Sequence, residues 1–293
     1  MLTVLDGGMG GELMRRGAGR ATGLWSAQAL LDAPDMVAQV HRDYIDAGAR
    51  VIITNSYSTI PSYLAKENMA DRYLELTEIA ARIARQVADE SELDVRVAGS
   101  LPPLNESYRY DLVPDDEAAA PIYEALSAVH KSYVDLYLCE TMSCVREAHN
   151  AVSAARKVAG STRPVWVSWT LAEQPGGGLR SGESITAAFE ALADYELDAY
   201  LFNCTDPSAI SEGLQELRAL TDKPIGAYPN RFHVPQGWTL DNEIKTEYWE
   251  MSDEEFVEFT RKWQAMGASI IGGCCGIGPG FIKALTAANP RLF

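Results

Sequence analysis

Three cysteines carry the clearest chemical pattern in the chain. Two are adjacent, in Gly272-Gly273-Cys274-Cys275-Gly276-Ile277-Gly278-Pro279-Gly280, and the third stands in Asn203-Cys204-Thr205-Asp206-Pro207. Each group follows an apolar run that reads as a buried strand. Neighbouring side chains of a regular strand point to opposite faces, so an adjacent pair could not share one ion. The glycines around Cys274 and Cys275 permit positive φ and a sharp bend just past the strand, and the two thiolates can then converge with Cys204. Three thiolates with one open position describe a catalytic Zn2+ centre, because structural zinc sites are usually closed by four protein ligands. The alternative use of cysteine is as a small buried hydrophobe. That use suits Cys139, inside a strand beside Glu140, and Cys144 on the following helix.

The elements that must position these residues alternate from end to end. Eight apolar runs read as strands: Val4-Leu5-Asp6, Val51-Ile52-Ile53-Thr54, Val95-Arg96-Val97-Ala98-Gly99, Leu136-Tyr137-Leu138-Cys139-Glu140, Val165-Trp166-Val167-Ser168-Trp169, Ala199-Tyr200-Leu201-Phe202-Asn203-Cys204, Ile225-Gly226-Ala227-Tyr228 and Ser269-Ile270-Ile271-Gly272-Gly273. Continuous apolar runs suit parallel strands covered on both faces. Helical periodicity separates them, at 34–48 and 69–88 for example, and Ser252-Asp253-Glu254-Glu255 predicts a capping box opening another helix. Eight strand–helix pairs predict an α/β fold, a (β/α)8 TIM barrel, as one domain over residues 1–293. A doubly wound open sheet is the structural alternative. Two long connections, 100–114 and 229–251, follow strands and so rise over the catalytic face of a barrel; the second contains Trp238, Tyr248 and Trp249.

Composition narrows the partners. With 25 basic against 41 acidic residues the formal net charge is −16, which repels phosphate backbones. Nucleic acid and anionic membranes are poor partners, and small molecules are expected instead. No stretch of ~18 apolar residues occurs to span a membrane. The start of the chain reads as a strand entering a glycine turn rather than a leader, and five cysteines without one point to the cytoplasm.

With those residues in place the chain resembles the homocysteine S-methyltransferase family. The resemblance is carried by Asp6-Gly7-Gly8-Met9-Gly10-Gly11-Glu12-Leu13, Thr54-Asn55-Ser56-Tyr57, Cys139-Glu140-Thr141, Asn203-Cys204-Thr205, Pro229-Asn230 and Gly272-Gly273-Cys274-Cys275-Gly276, spread in order over nearly the whole chain. It implies a (β/α)8 barrel, one zinc on Cys204, Cys274 and Cys275, and homocysteine as methyl acceptor. It also implies that Asp6, Gly7 and Glu140 hold the amino-acid end of homocysteine. The chain departs from the family at Gly11, where many members have threonine. It departs again in Leu101-Pro102-Pro103-Leu104-Asn105-Glu106-Ser107-Tyr108-Arg109, which differs from the Gly-Pro-Tyr-Gly pattern of members using S-methylmethionine. The donor is therefore open among S-methylmethionine, S-adenosylmethionine and a small thetin.

The chemistry expected is attack of a substrate thiolate on an electrophilic methyl group, with Asp6 and Glu140 pairing with the substrate ammonium. Asn55 either contacts substrate or orients its loop, and Asn230 either lies near the metal or stabilises the Pro229 turn. Trp169, Tyr228 and Trp238 are the aromatic candidates for attracting a sulfonium cation. His41, His130 and His149 fall in predicted helices, with packed or solvated roles, while His233 lies on the long loop after the seventh strand. Two other functions use the same residues. The glycine turn after the eighth strand could hold the phosphate of a sugar through backbone amides, or the barrel could bind zinc or thiols without turnover.

Overall fold

Every one of the eight apolar runs forms a parallel strand in the computed structural model, which describes residues 2–18, 24–239, 244, 247–248 and 251–289. The barrel strands are Thr3–Val4, Val51–Ile53, Arg96–Leu101, Leu136–Met142, Val165–Trp169, Ala199–Asn203, Ile225–Tyr228 and Ala268–Ile271. Strands two to eight pair in chain order, and the first joins the last through Thr3↔Ile270 and Val4↔Ile271. Between the first and second strands a parallel bridge, Leu5↔Val51, completes the circle, with Asp6 N donating to Val51 O at 3.0 Å. The sheet is a closed (β/α)8 barrel, and the open doubly wound alternative falls.

The pleat sorts side chains into two cores. Leu136, Leu138, Trp166, Ala199 and Leu201 fill the barrel interior with Leu5, Val51, Ala98 and Ile270. The intervening Tyr137, Cys139, Val165, Val167, Tyr200 and Phe202 face the helix layer. Burying each large side chain contributes about 1.5–3 kcal/mol. Cys139 is therefore a core residue, as expected. Trp169 shares the parity of Val165 and Val167, so it too points outward. It is fully buried and stacked on Tyr200 at a ring separation of 6.1 Å. Its assignment to the donor site is corrected on that ground.

The helices follow their periodic faces. Pro34–Asp46 begins with proline in its first turn and buries Val37, Val40, Tyr44 and Ile45. Tyr73–Glu90 buries Leu76, Ala80 and Val87, after a 3-10 turn at Ala70–Arg72. Helix Asp253–Ala265 opens with the expected capping box between Ser252 and Glu255. His41, His130 and His149 all lie in helices. Burial without a hydrogen bond at either ring nitrogen pushes His41 down to about 3, which keeps it neutral. The connection after the seventh strand carries a short antiparallel ribbon, Phe232–His233 with Glu247–Tyr248. Trp249 and the side chain of Tyr248 lie outside the described residues.

Candidate active site at the carboxyl end of the barrel

Following the interior parity to the strand ends, apolar side chains give way to polar ones. Leu136 and Leu138 lead to Glu140, Ala98 to Ser100, Trp166 to Ser168, Leu201 to Asn203, and Gly226 to Tyr228. The top layer is hydrogen-bonded. Ser100 Oγ donates to Glu140 Oε1 at 2.5 Å and the Tyr228 hydroxyl to Glu140 Oε2 at 3.2 Å. Ser168 Oγ and the Thr141 N–H both donate to Asn203 Oδ1, and Asn203 Nδ2 returns a bond to Thr141 Oγ1. Ser100, Ser168 and Asn203, absent from the expected site, support it from beneath through these bonds. The signal for them was a polar residue on the inward parity of a buried strand.

Two carboxylates face this layer. Burial raises Glu140 to about 7, against the hydrogen bonds from Ser100 and Tyr228. Burial also holds Asp6 well above the usual carboxylate range, opposed by the Ile53 N–H and reinforced by the charge of Glu140. Ile53 N donates to Asp6 Oδ2 at 2.8 Å, while Oδ1 is buried with no hydrogen-bond partner. Gly7 follows because nothing larger fits: a Cβ there would strike the Ile277 carbonyl, which already accepts from Gly8 N and the Tyr44 hydroxyl.

The three predicted cysteines meet. Their sulfurs lie within 4.8 Å of one another. Cys204 and Cys274 are joined as a disulfide, with Cα atoms 5.7 Å apart, and Cys275 is a free thiol. The expectation of three thiolates thus applies to the chain after two-electron reduction of that bond. The bend expected at the flanking glycines is present at one of them, Gly276. The positive φ falls on Gly276 (82°) and on Cys204 itself (51°), a left-handed conformation that is sparsely populated for a side-chain-bearing residue. Gly272 and Gly273 are instead forced by close packing, since a Cβ would strike Leu5 and Ile277 respectively. Backbone bonds from Cys274 N to Pro229 O and from Arg231 N to Cys275 O clamp the pair against the seventh-strand loop. Between them sits Asn230, fully buried, with its carboxamide beside the Tyr108 hydroxyl.

These groups line one cavity of about 340 Å³, within the range of small-molecule sites. Asp6, Gly7, Asn55 and Glu140 stand in its wall with Cys204, Cys274 and Cys275. Asn55 also donates to the Ser26 carbonyl at 3.1 Å, which anchors its loop. Tyr228 and Trp238 line the cavity, joined by Trp25, Tyr57, Tyr63, Tyr108 and Phe232, which the sequence reading did not single out. Among the described residues no Lys, Arg or His lines it. The wall thus suits cations, through its carboxylates and its aromatic faces.

Comparison with known proteins shows the family and the fold. The sequence profile of a family described as homocysteine S-methyltransferase matches residues 3–289. Homocysteine S-methyltransferase 3 of Arabidopsis thaliana is 34% identical over 313 aligned positions, covering 96% of this chain and 88% of that protein. The homocysteine methyltransferase MmuM from Escherichia coli, in its metallated form, superposes with a TM-score of 0.80 at 28% identity, covering 98% of this chain and 96% of the other. An oxidised form of the same enzyme superposes with a TM-score of 0.80 at 27% identity, covering 98% and 95%.

Proposed function

The chain belongs to the homocysteine S-methyltransferase family, and from that premise we propose that it moves a methyl group from a sulfonium donor, S-methylmethionine or S-adenosylmethionine, to homocysteine, giving methionine. We read residues 1–293 as one homocysteine-binding barrel that works on small molecules in the cytoplasm, where the Cys204–Cys274 pair would be reduced. One observation carries the reading. A buried carboxylate oxygen without a partner, Asp6 Oδ1, stands beside Glu140 in the same cavity as three clustered sulfurs. One cavity thus holds groups able to take an ammonium and groups able to hold a thiol, the two ends of a thiol-bearing amino acid.

The donor set fits Zn2+, since three thiolates offset the charge of a soft dication and leave a position for a fourth sulfur. Bound to Cys204, Cys274 and Cys275, zinc would supply acidity, holding the substrate thiol as its thiolate at neutral pH. The rest belongs to the chain. Asp6 and Glu140 take the substrate ammonium, Gly7 lets the backbone approach it, and Asn55 offers an amide to the amino-acid end. Trp25, Tyr57 and Trp238 exclude water and attract the positive sulfonium. In the transfer the acceptor sulfur forms a bond to the methyl carbon as the donor carbon–sulfur bond breaks. The electron pair of that bond returns to the donor sulfur, leaving a neutral thioether, and the thiol proton passes to solvent.

The test is methionine formation from homocysteine across a panel of sulfonium and betaine donors, with Zn2+ and a reductant present. Turnover with one sulfonium is expected. Metal binding with no methionine from any donor would favour a storage or sensing barrel, for which the buried acids have no use.

A further inference from the structure

A second group of metal-ligating side chains gathers at the same end of the barrel, outside the cavity wall. Glu173 comes from the connection after the fifth strand, Asp206 caps helix Pro207–Leu220 after the sixth, and His233 follows the seventh. One ligand atom from each lies within 4.8 Å of the others. His233 Nδ1 is 3.7 Å from Glu173 Oε2 and 3.7 Å from Asp206 Oδ2. That separation is too long for a hydrogen bond. It is near the edge of a coordination shell, because metal bonds of ~2.0–2.2 Å set neighbouring ligand atoms roughly 3–3.6 Å apart.

Both acids are held from behind. Glu173 Oε1 accepts from Arg180 Nη2 at 2.6 Å and from Val234 N at 2.9 Å, while Oε2 is buried without a hydrogen-bond partner. Asp206 is 8% exposed, and its Oδ1 is taken by Ser208 N at 2.6 Å, which leaves Oδ2 toward the imidazole. Ligands whose far atoms are fixed by hydrogen bonds are the usual support of a metal site. Two carboxylates against one guanidinium keep the group net negative, and His233, 46% exposed, gives solvent ions a way in.

We propose that Glu173, Asp206 and His233 form a second divalent-cation site, of nitrogen and oxygen ligands, for an ion of the Zn2+, Co2+ or Mn2+ class. An ion there ties the fifth, sixth and seventh connections together. It braces two parts of the cavity wall, Phe232 beside His233 and Cys204 two residues before Asp206.

Co2+ is the probe, since thiolate and oxygen–nitrogen sites give different spectra. In Cys204→Ser/Cys274→Ser/Cys275→Ser protein, equilibrium dialysis should find about one Co2+ per chain with weak visible bands and no thiolate charge-transfer absorption. Glu173→Gln or His233→Gln should weaken that binding by about tenfold or more. Should the triple variant not fold, reduced wild-type protein is titrated instead. It should take about two ions per chain, and Glu173→Gln about one, with the charge-transfer band intact. Absence of the oxygen–nitrogen ion in the folded protein, or binding unchanged in both substitutions, overturns the site. Loss of the charge-transfer band alone would count against the cysteine centre and leave this one standing.

Discussion

Replacing Glu140 by glutamine should weaken homocysteine binding and stabilise the free protein at the same time. Glu140 is 5% exposed, and burial raises it from its ordinary 4.5 to about 7. At 1.36 kcal/mol per tenfold change, holding it ionised in the empty cavity costs about 3 kcal/mol. An arriving ammonium recovers that cost, whereas a neutral amide has none to recover. At pH 8 the variant should therefore raise KM for homocysteine by about a hundredfold, the factor equivalent to about 3 kcal/mol. Its thermal stability without substrate should rise, by up to a similar free energy. The pH dependence follows from the sign. Because the folded state holds the Glu140 proton more tightly than the unfolded one, its contribution to stability is full below about 4.5 and is lost as pH rises through about 7. Wild type and variant should draw together as pH falls below about 7, and their stabilities should meet near 4.5. Initial rates against homocysteine at saturating donor, and melting curves across that range, check this. A KM within threefold of wild type at pH 8, or a variant less stable there, would refute the reasoning.

Three further outcomes test other parts of the site. Cys204→Ser should remove the thiolate-bound Zn2+, about one ion per chain, together with methionine formation, while an ion at Glu173, Asp206 and His233 stays, and unreduced wild-type protein should gain about one zinc per chain on treatment with a thiol reductant; equal zinc content before and after reduction, measured by elemental analysis, would contradict the shared use of Cys204 and Cys274. Trp238→Ala should raise the donor KM about fivefold, the worth of about 1 kcal/mol of cation–aromatic attraction, whereas Trp169→Phe should lower the melting temperature and leave the donor KM alone; the reverse pattern would restore Trp169 to the site. Gly7→Ala should cost about 1–3 kcal/mol in stability and loosen zinc affinity, because its methyl group meets the Ile277 carbonyl beside the Cys274–Cys275 turn; an unchanged denaturation midpoint would show that the turn yields freely.

Much of the site was legible along the chain. The eight strand runs lie within two residues of their observed limits, since burial on both faces leaves an apolar stretch that local pattern can display. The cysteines and Glu140 could be found because they interrupt or follow those runs, and Asp6 because it ends the first. Even the outward turn of Trp169 was written in its parity with Val165 and Val167. Tertiary structure decided the rest. Closure of the sheet depends on a single bridge, Leu5↔Val51, between residues far apart in sequence. Only the closed barrel brings Trp25, Tyr57 and Tyr108 from three separate connections into one cavity wall, puts Cys204 within bonding reach of Cys274, and sets His233 beside Glu173 and Asp206. Periodicity reports which face of its own element a side chain occupies; which loops then meet across the mouth depends on how the strands tilt and stagger around the axis, a property of the whole ring.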